Sequence, residues 1–546
     1  MKETMDGTYK RFKWLVFGYI MATAISAFAT ILLARIMGPA VYGTYAASIV
    51  LPFIFVGLVD LGIGSAVTYY ISKSKVDRDI ISVYFKTAVS FVLFFVGILA
   101  VALSVSSSFI ARYVFNRAEL APYIRVSSFI VLYMAIGSIC NGALLSIYKQ
   151  RSVGIFYIAN SIVRNTLAVY LFIKTHDVFY AVIGQTLGFL SVSTIYLLYA
   201  LRIFRNGRVS RKVLRSMLSY GLPYGLGMFI VTICIQFYNV VAVRLLAAEM
   251  YGNFSAAWLI LSGVMVIPTS FMQSLFPSFS ETNVGLDVEP SAAFSSAVKV
   301  ASSMFLYLWV TFGGLAEVIV SLVYGPKYMY ADEIFTLLSS VFLLSILGWG
   351  IINPLLLSIK KTKALAAINI TAVAISIIVI GILTETHLLD DFLIIPIAFF
   401  TLHAVATIGG YIYLRRKYGV GISLKALIKT IAVVFILFKM IKYLSGIKVD
   451  ICIRVLEMEI HLGPVIKLLV GFLGFGILYI VLLILSRVLT REDYEILKTT
   501  VFSFPILRRI LGIITEPTFD MSDRLNGFLY KLNKSVREKI SSKIAR

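Results

Sequence analysis

Arg164 is the residue of this sequence whose position most needs a chemical reason. It lies almost midway between Arg151 and Lys174, inside an apolar stretch long enough to cross a bilayer, and therefore near the membrane midplane. A charge at that depth is disfavoured by about 2.5–3.5 kcal/mol even on the lenient insertion scale. A guanidinium offers a planar fork of donors that suits bidentate capture of phosphate oxygens, and it does not deprotonate. The competing reading is a structural ion pair with Asp60, the one acid deep in the first half of the chain.

Other polar residues at membrane depth each carry two readings. Asp60, just before Gly62 and Gly64, either holds a coupling proton or ion or caps a helix broken at the glycines. Glu317 in the ninth apolar stretch serves ion coupling or the fold. His403, central in the twelfth, titrates near neutral pH or makes a satisfied helix contact, and the contact is the preferred reading. Gln185, Gln236, Asn239 and Gln273 either line a polar cavity that meets substrate hydroxyls or join helices by hydrogen bonds. Arg35 and Arg244 lie at the outer ends of the first and seventh stretches, where a guanidinium snorkels to headgroups; they are the second place to seek a phosphate anchor. Cys140, Cys234 and Cys452 have no metal spacing and form no disulfide framework, so neither metal nor cofactor is expected. No GxxxxGK[ST] phosphate loop occurs, which excludes ATP-driven transport within this chain.

The elements that position these groups follow from composition. Hydrophobic residues make up 59% of the 546 and charged residues 14%, so the chain reads as an all-α polytopic membrane protein. Fourteen spans are expected: 14–34, 44–70, 83–109, 124–147, 153–173, 178–201, 218–243, 254–278, 297–323, 333–359, 364–384, 392–414, 424–444 and 464–486. The net charge of +23 needs no nucleic-acid partner, because basic cytoplasmic loops explain it. Lys73 to Arg78, Arg202 to Arg215 and Arg415 to Lys417 all fall on one side, which places both termini in the cytoplasm of a cell-membrane protein. The segment with Glu281, Asp287 and Glu289 dissents from that rule.

The chain also repeats itself. Asn141 to Lys149 reads NGALLSIYK and Asn353 to Lys361 reads NPLLLSIKK, 212 residues on. Arg35, Tyr42-Gly43, Tyr45 and Ala47 recur as Arg244, Tyr251-Gly252, Phe254 and Ala256, 209 residues on. The expected organisation is a six-helix lobe over 1–201, a basic linker over 202–217, a second six-helix lobe over 218–414, an extra helix pair over 415–487 and a basic amphipathic cytoplasmic tail over 488–546. Asn141 and Asn353, present in both halves, are expected to join helices.

LARIMGPAVYGTYA (Leu33 to Ala46), VDLGIGSAV (Val59 to Val67) and AEVIVSLVYGPKY (Ala316 to Tyr328) resemble the polysaccharide-transporter, or oligosaccharide-lipid flippase, family. Multidrug extruders and peptidoglycan-precursor flippases share its superfamily. The resemblance implies two six-helix lobes around a central cavity and the movement of a polyprenyl-linked oligosaccharide across the membrane, with its tail remaining among the membrane lipids. The drive is left open between a coupling proton, a sodium ion and the membrane potential, and the activity is transport rather than catalysis. A cation-coupled multidrug exporter is the alternative within the superfamily. A membrane glycosyltransferase or polysaccharide polymerase is the alternative outside it, weakened because the longest outward loop, Ser445 to Gly463, is short.

Overall fold

A computed structural model of the protein describes residues 2–55, 61–73, 78–285, 290–359, 361–422, 424–447, 452–455, 458–461 and 463–486, with five positions between 515 and 521. Asp60 lies outside the described residues, as does almost all of the expected basic tail. Nearly everything described is helical. Hydrocarbon gives backbone groups no partner, so each N–H must find its carbonyl within the same segment.

Among the described residues nine helices are long and apolar enough to cross a membrane, or up to eleven if each of two bent pairs forms one span. Three of the expected fourteen stretches fall outside that set. The stretch 44–70 is in pieces, 218–243 lies within a 35-residue helix, and 424–444 lies in a helix carrying Lys429, Lys439 and Lys442.

The chain divides into two compact units, Met1–Ala256 and Ala257–Arg546. The first holds α1 (Lys2–Ser48), α2 (Val50–Ile54), α3 (Ile63–Lys73), α4 (Arg78–Val105), α5 (Ser107–Phe109), a π-helical turn (Ile110–Val114), a 3-10 turn (Ala118–Leu120), α6 (Ala121–Ser127), α7 (Ile130–Ser146), α8 (Gln150–Thr175), α9 (Val178–Ile203), α10 (Arg211–Leu245) and the start of α11 (Ala248–Val264). No loop separates the first two expected stretches. α1 continues through 35–43 with one break at Gly38 (φ 71°, ψ 169°), a conformation open to glycine, and Pro39 follows where a helix start needs no N–H.

The two Tyr-Gly motifs meet at this break. A Cβ on Gly43 would lie 1.8 Å from the Ala248 carbonyl oxygen, and one on Gly252 would lie 1.9 Å from that of Pro39. Gly43 and Gly252 are 209 residues apart, and so are Pro39 and Ala248. Each motif therefore docks on the other through the same backbone contact run both ways, as around a local two-fold axis. Farther along, Gly62 (φ 72°) meets Gly221, whose carbonyl would be 2.1 Å from its Cβ, so glycines again set the approach of α10 to α3.

The second unit continues with α12 (Val266–Gly285), α13 (Pro290–Leu308), a π-helical turn (Trp309–Gly313), α14 (Ala316–Tyr324), α15 (Ala331–Ser339), a 3-10 segment (Ser340–Leu347), α16 (Ile352–Ser358), α17 (Thr362–Thr386), α18 (Asp391–Tyr418), α19 (Leu424–Gly446), strands β1 (Cys452–Val455) and β2 (Met458–His461), α20 (Gly463–Leu469), a π-helical turn (Val470–Gly474) and α21 (Phe475–Leu485). The ninth expected span bends by 60° between Gly313 and Ala316, and the tenth by 49° between Leu347 and Ile352, where Gly348 and Gly350 take positive φ. Within the all-α fold a short antiparallel pair, β1–β2, with Cys452 opposite His461, lies inside the segment expected as a plain loop. Water beyond the bilayer satisfies the edges of a short hairpin, so helix is not obligatory there. The extra pair packs against the ninth span: Val433, Leu437, Ile441, Leu483 and Ile484 share a core with Leu306, Val310 and Leu315. Phe438 lies flat on Trp309 at 4.4 Å. Lys429, one of the interrupting lysines, donates to the Ser486 carbonyl at 2.9 Å, which gives its charge a partner at a helix end.

Candidate functional site

Arg164 is the fifteenth of the 26 residues of α8, counting from Gln150. Its Nη2 donates to Ser26 Oγ on α1 at 2.8 Å, and its guanidinium lies 5.1 Å from the centre of the Phe189 ring on α9. Ser26 Oγ is 2.6 Å from Ser161 Oγ, and Ser161 donates to the Ala22 carbonyl at 2.7 Å. The direction of the chain is thereby fixed: Arg164 donates to Ser26, Ser26 to Ser161, and Ser161 to the backbone. Asn165 Nδ2 donates to the Ser161 carbonyl at 2.7 Å and closes the cluster from below the same turn. Ser161 and Asn165 are buried, at 3% and 4% exposure.

Glycine makes the approach possible. A Cβ on Gly188 would lie 2.2 Å from Arg164 Cα, and one on Gly184, a turn earlier, 2.6 Å from the Leu167 carbonyl oxygen. α9 therefore lies against α8 at backbone distance beside the arginine, and Phe189 offers its face to the cation. One turn from Phe189 stands Gln185, 2% exposed, whose buried Oε1 has no hydrogen-bond partner. A buried carbonyl oxygen without a donor is disfavoured by roughly 1–3 kcal/mol.

Among the described residues no carboxylate joins the cluster. Among the described residues the one ion pair is Arg117–Glu119, at 2.9 Å. Beyond its bond to Ser26, the Arg164 fork has no hydrogen-bonded protein acceptor among the described residues. What the arrangement offers is a cation near the middle of a helix long enough to cross a membrane, with donors still to give, and an aromatic face.

The other predicted residues stand elsewhere. Arg244 Nη1 donates to the carbonyls of Tyr113 and Val114, at 2.7 and 3.1 Å, capping the π-helical turn. Arg35 is exposed on α1. Gln236 and Asn239 bond to each other along α10, Nδ2 to Oε1 at 2.7 Å. Gln273 is exposed on α12. Glu317 is exposed in the first turn of α14, past the 60° bend, where a helix N-terminus favours a carboxylate without any ion. His403 Nδ1 accepts from Trp349 Nε1 at 3.2 Å, and its ring meets Phe399 edge to face at 4.6 Å. Asn141 donates to Tyr157 and accepts from Tyr196, at 3.1 and 2.9 Å, and so ties α7 to α8 and α9. Asn353 is exposed. Among the described residues no group of three His, Cys, Asp or Glu side chains could hold a metal ion. Sequence reasoning missed Ser26, Ser161, Asn165 and Gly188. The pattern Ser161, Arg164, Asn165 puts three polar groups on one helical face and was the available signal.

Comparison with known proteins agrees with this architecture. The family model described as polysaccharide biosynthesis protein matches residues 9–283. No curated protein sequence matches the chain. A solved structure of the lipid II flippase MurJ in an inward closed conformation is similar at TM-score 0.60 and 14% identity, covering 85% of this chain and 98% of that one. An inward-facing multidrug resistance MATE family transporter of the MOP superfamily is similar at TM-score 0.58 and 17% identity, covering 76% and 99%. At such identities the likeness is one of fold, that of multi-pass membrane transporters. The family match is different in kind: it spans half of the 546 residues and takes in both Tyr-Gly motifs and every member of the Arg164 cluster, so the chain belongs to the polysaccharide biosynthesis protein family.

Proposed function

We propose that the protein is a flippase that carries a lipid-linked oligosaccharide, a sugar head on polyprenyl phosphate or diphosphate, from the cytoplasmic to the outer leaflet by alternating access. The observation that carries this reading is Arg164: a guanidinium near mid-membrane, held by one hydroxyl and one ring face, with no carboxylate among the described residues. A phosphate head entering the bilayer exchanges hydration for fixed donors, and a planar fork supplies them. Family membership and a flippase among the structural neighbours support the same reading. A cation-coupled drug exporter is the second reading, favoured by the MATE likeness, but a cation is a poor lining for cationic cargo. The duplicated halves act as the two lobes, both termini are cytoplasmic, and Asp60 is the group through which a proton or sodium ion would couple, since Glu317 is exposed at a helix start and His403 is held by Trp349.

The test is flipping of a fluorescent lipid-linked oligosaccharide in proteoliposomes. Arg164→Ala should lower the rate about 100-fold while the protein still inserts, and Arg164→Lys should recover little, because an ammonium keeps the charge and loses the fork. Normal flipping by Arg164→Ala would refute the proposal. Recovery in an Arg164→Asp, Asp60→Arg pair would assign the arginine to a structural ion pair instead.

A further inference from the structure

The first unit holds a second group of side chains that the Arg164 cluster does not use. α3, α4 and α10 bring four tyrosines together. Tyr69 lies flat on Tyr220 at 4.6 Å and 11°, and Tyr70 lies flat on Tyr84 at 5.0 Å and 8°. The two stacks meet edge to face through Tyr69–Tyr70 at 5.1 Å and Tyr70–Tyr220 at 6.1 Å. Tyr70 is pinned by its hydroxyl, which donates to the Ser216 carbonyl at 3.2 Å. The backbone beneath is fixed by the glycine contact of Gly62 with Gly221. Tyr69 and Tyr220 are nonetheless 42% and 43% exposed, each with one ring face outside the stack.

One cation lies beside these rings and others precede them on α10. Lys73 Nζ lies 5.9 Å from the centre of Tyr69, and Arg211, Lys212 and Arg215 are exposed on the first turns of α10, leading to Tyr220. The described parts of α3 and α10 contain no acid, and α4 contains one, Asp79. A tyrosine of an ordinary interfacial belt needs only its own amphipathic place at the headgroup level. Four rings from three helices, stacked on one another with a lysine beside them, are more than a belt requires. Flat phenol faces accept the C–H face of a pyranose, phenol hydroxyls meet sugar hydroxyls, and ammonium and guanidinium groups meet phosphate.

Resting on the flippase reading above, we infer that this tyrosine cluster is a docking site for the sugar head of the lipid-linked oligosaccharide. The sugars lie against Tyr69 and Tyr220, and the phosphate faces Lys73 and the cations of α10. The site lies beside the basic segments of the face proposed as cytoplasmic, so the substrate meets it before Arg164. It reads the sugar, whereas Arg164 reads the phosphate.

Two probes separate these roles: farnesyl diphosphate carrying a disaccharide of N-acetylglucosamine, and farnesyl diphosphate alone. Binding of each is measured to the full chain in detergent, alongside thermal unfolding. The double variant Tyr69→Leu, Tyr220→Leu should weaken the sugar-bearing probe about tenfold and leave the sugar-free probe within about twofold, while Tyr69→Phe, Tyr220→Phe should keep most of the sugar preference. Equal losses on both probes, or a lowered unfolding temperature with an unchanged sugar preference, would overturn the docking site and leave the tyrosines as packing. If the native protein binds both probes through Arg164 and the leucine variant matches it, the docking site alone falls. If the native protein binds neither probe, the flippase reading falls with it.

Discussion

α8 and α17 read as two copies of one helix, and they differ where it matters. They begin at Gln150 and Thr362, 212 residues apart, and both end at a left-handed histidine, His176 (φ 54°) and His387 (φ 48°). Their partner helices α9 and α18 begin after Asp177 and Asp390, 213 residues apart. Within these matching ends the first pair holds Ser161, Arg164 and Asn165 against Gly188. At the same offsets the second pair has Val373, Ser376, Ile377 and Thr401. Ser376 is buried and donates to the Ala398 carbonyl at 2.8 Å, and Thr401 bonds back to Ile397 within its own helix. Helix ends are kept in both copies, whereas the charge and the glycine that makes room for it occur in one. What both copies keep fits a scaffold; under the proposed function, what one copy alone carries meets an asymmetric substrate.

Substitutions at matched positions break or sharpen that contrast. The largest effect is expected from Gly188→Leu, whose Cβ would meet Arg164 backbone and force α9 away: a loss of about 3 kcal/mol in detergent unfolding and flipping at background. Thr401→Leu should stay within about 1 kcal/mol and keep transport. Similar losses at both positions would remove the claim that close approach is particular to the first pair. Next comes Asn141→Leu, which strands the hydroxyls of Tyr157 and Tyr196 and should lower stability by about 1–2 kcal/mol, against about 0.5 kcal/mol or less for exposed Asn353→Leu. Unfolding curves of the two variants decide this, and an equal shift would mean that both asparagines join helices. The smallest effect belongs to Ser376→Ala, about 0.6 kcal/mol with flipping within about twofold of the native rate. A large transport defect there would show that the second copy also handles substrate.

The sequence made the multi-pass helical class plain, because lipid forces long apolar runs and leaves few charges to explain. Its joints were harder to read. The Gly38-Pro39 break ends one helical segment and starts the next without a loop, and no hydropathy window resolves a single residue. The bends near Leu315 and Gly350 fall inside apolar runs for the same reason. The hairpin at 452–461 is too short for its alternation to stand out. In the site, Arg164 was legible as a charge among apolar neighbours. Ser26 was not, since it arrives from 138 residues away and serine is unremarked in a span. Arg244 looked like a headgroup anchor because the π-helical turn whose carbonyls it caps has no sequence signature.

The central claim is that Arg164 recognises phosphate, and substrates with and without phosphate test it most directly. Proteoliposomes holding native protein or Arg164→Ala are given a fluorescent oligosaccharide joined to polyprenyl diphosphate, and the same oligosaccharide joined to a neutral polyprenyl ether. The native protein should flip the diphosphate form at least about 100-fold faster than the ether, and Arg164→Ala should flip both at the slow rate of the ether. An Arg164→Ala protein that still prefers the diphosphate form as strongly as the native one would contradict the account.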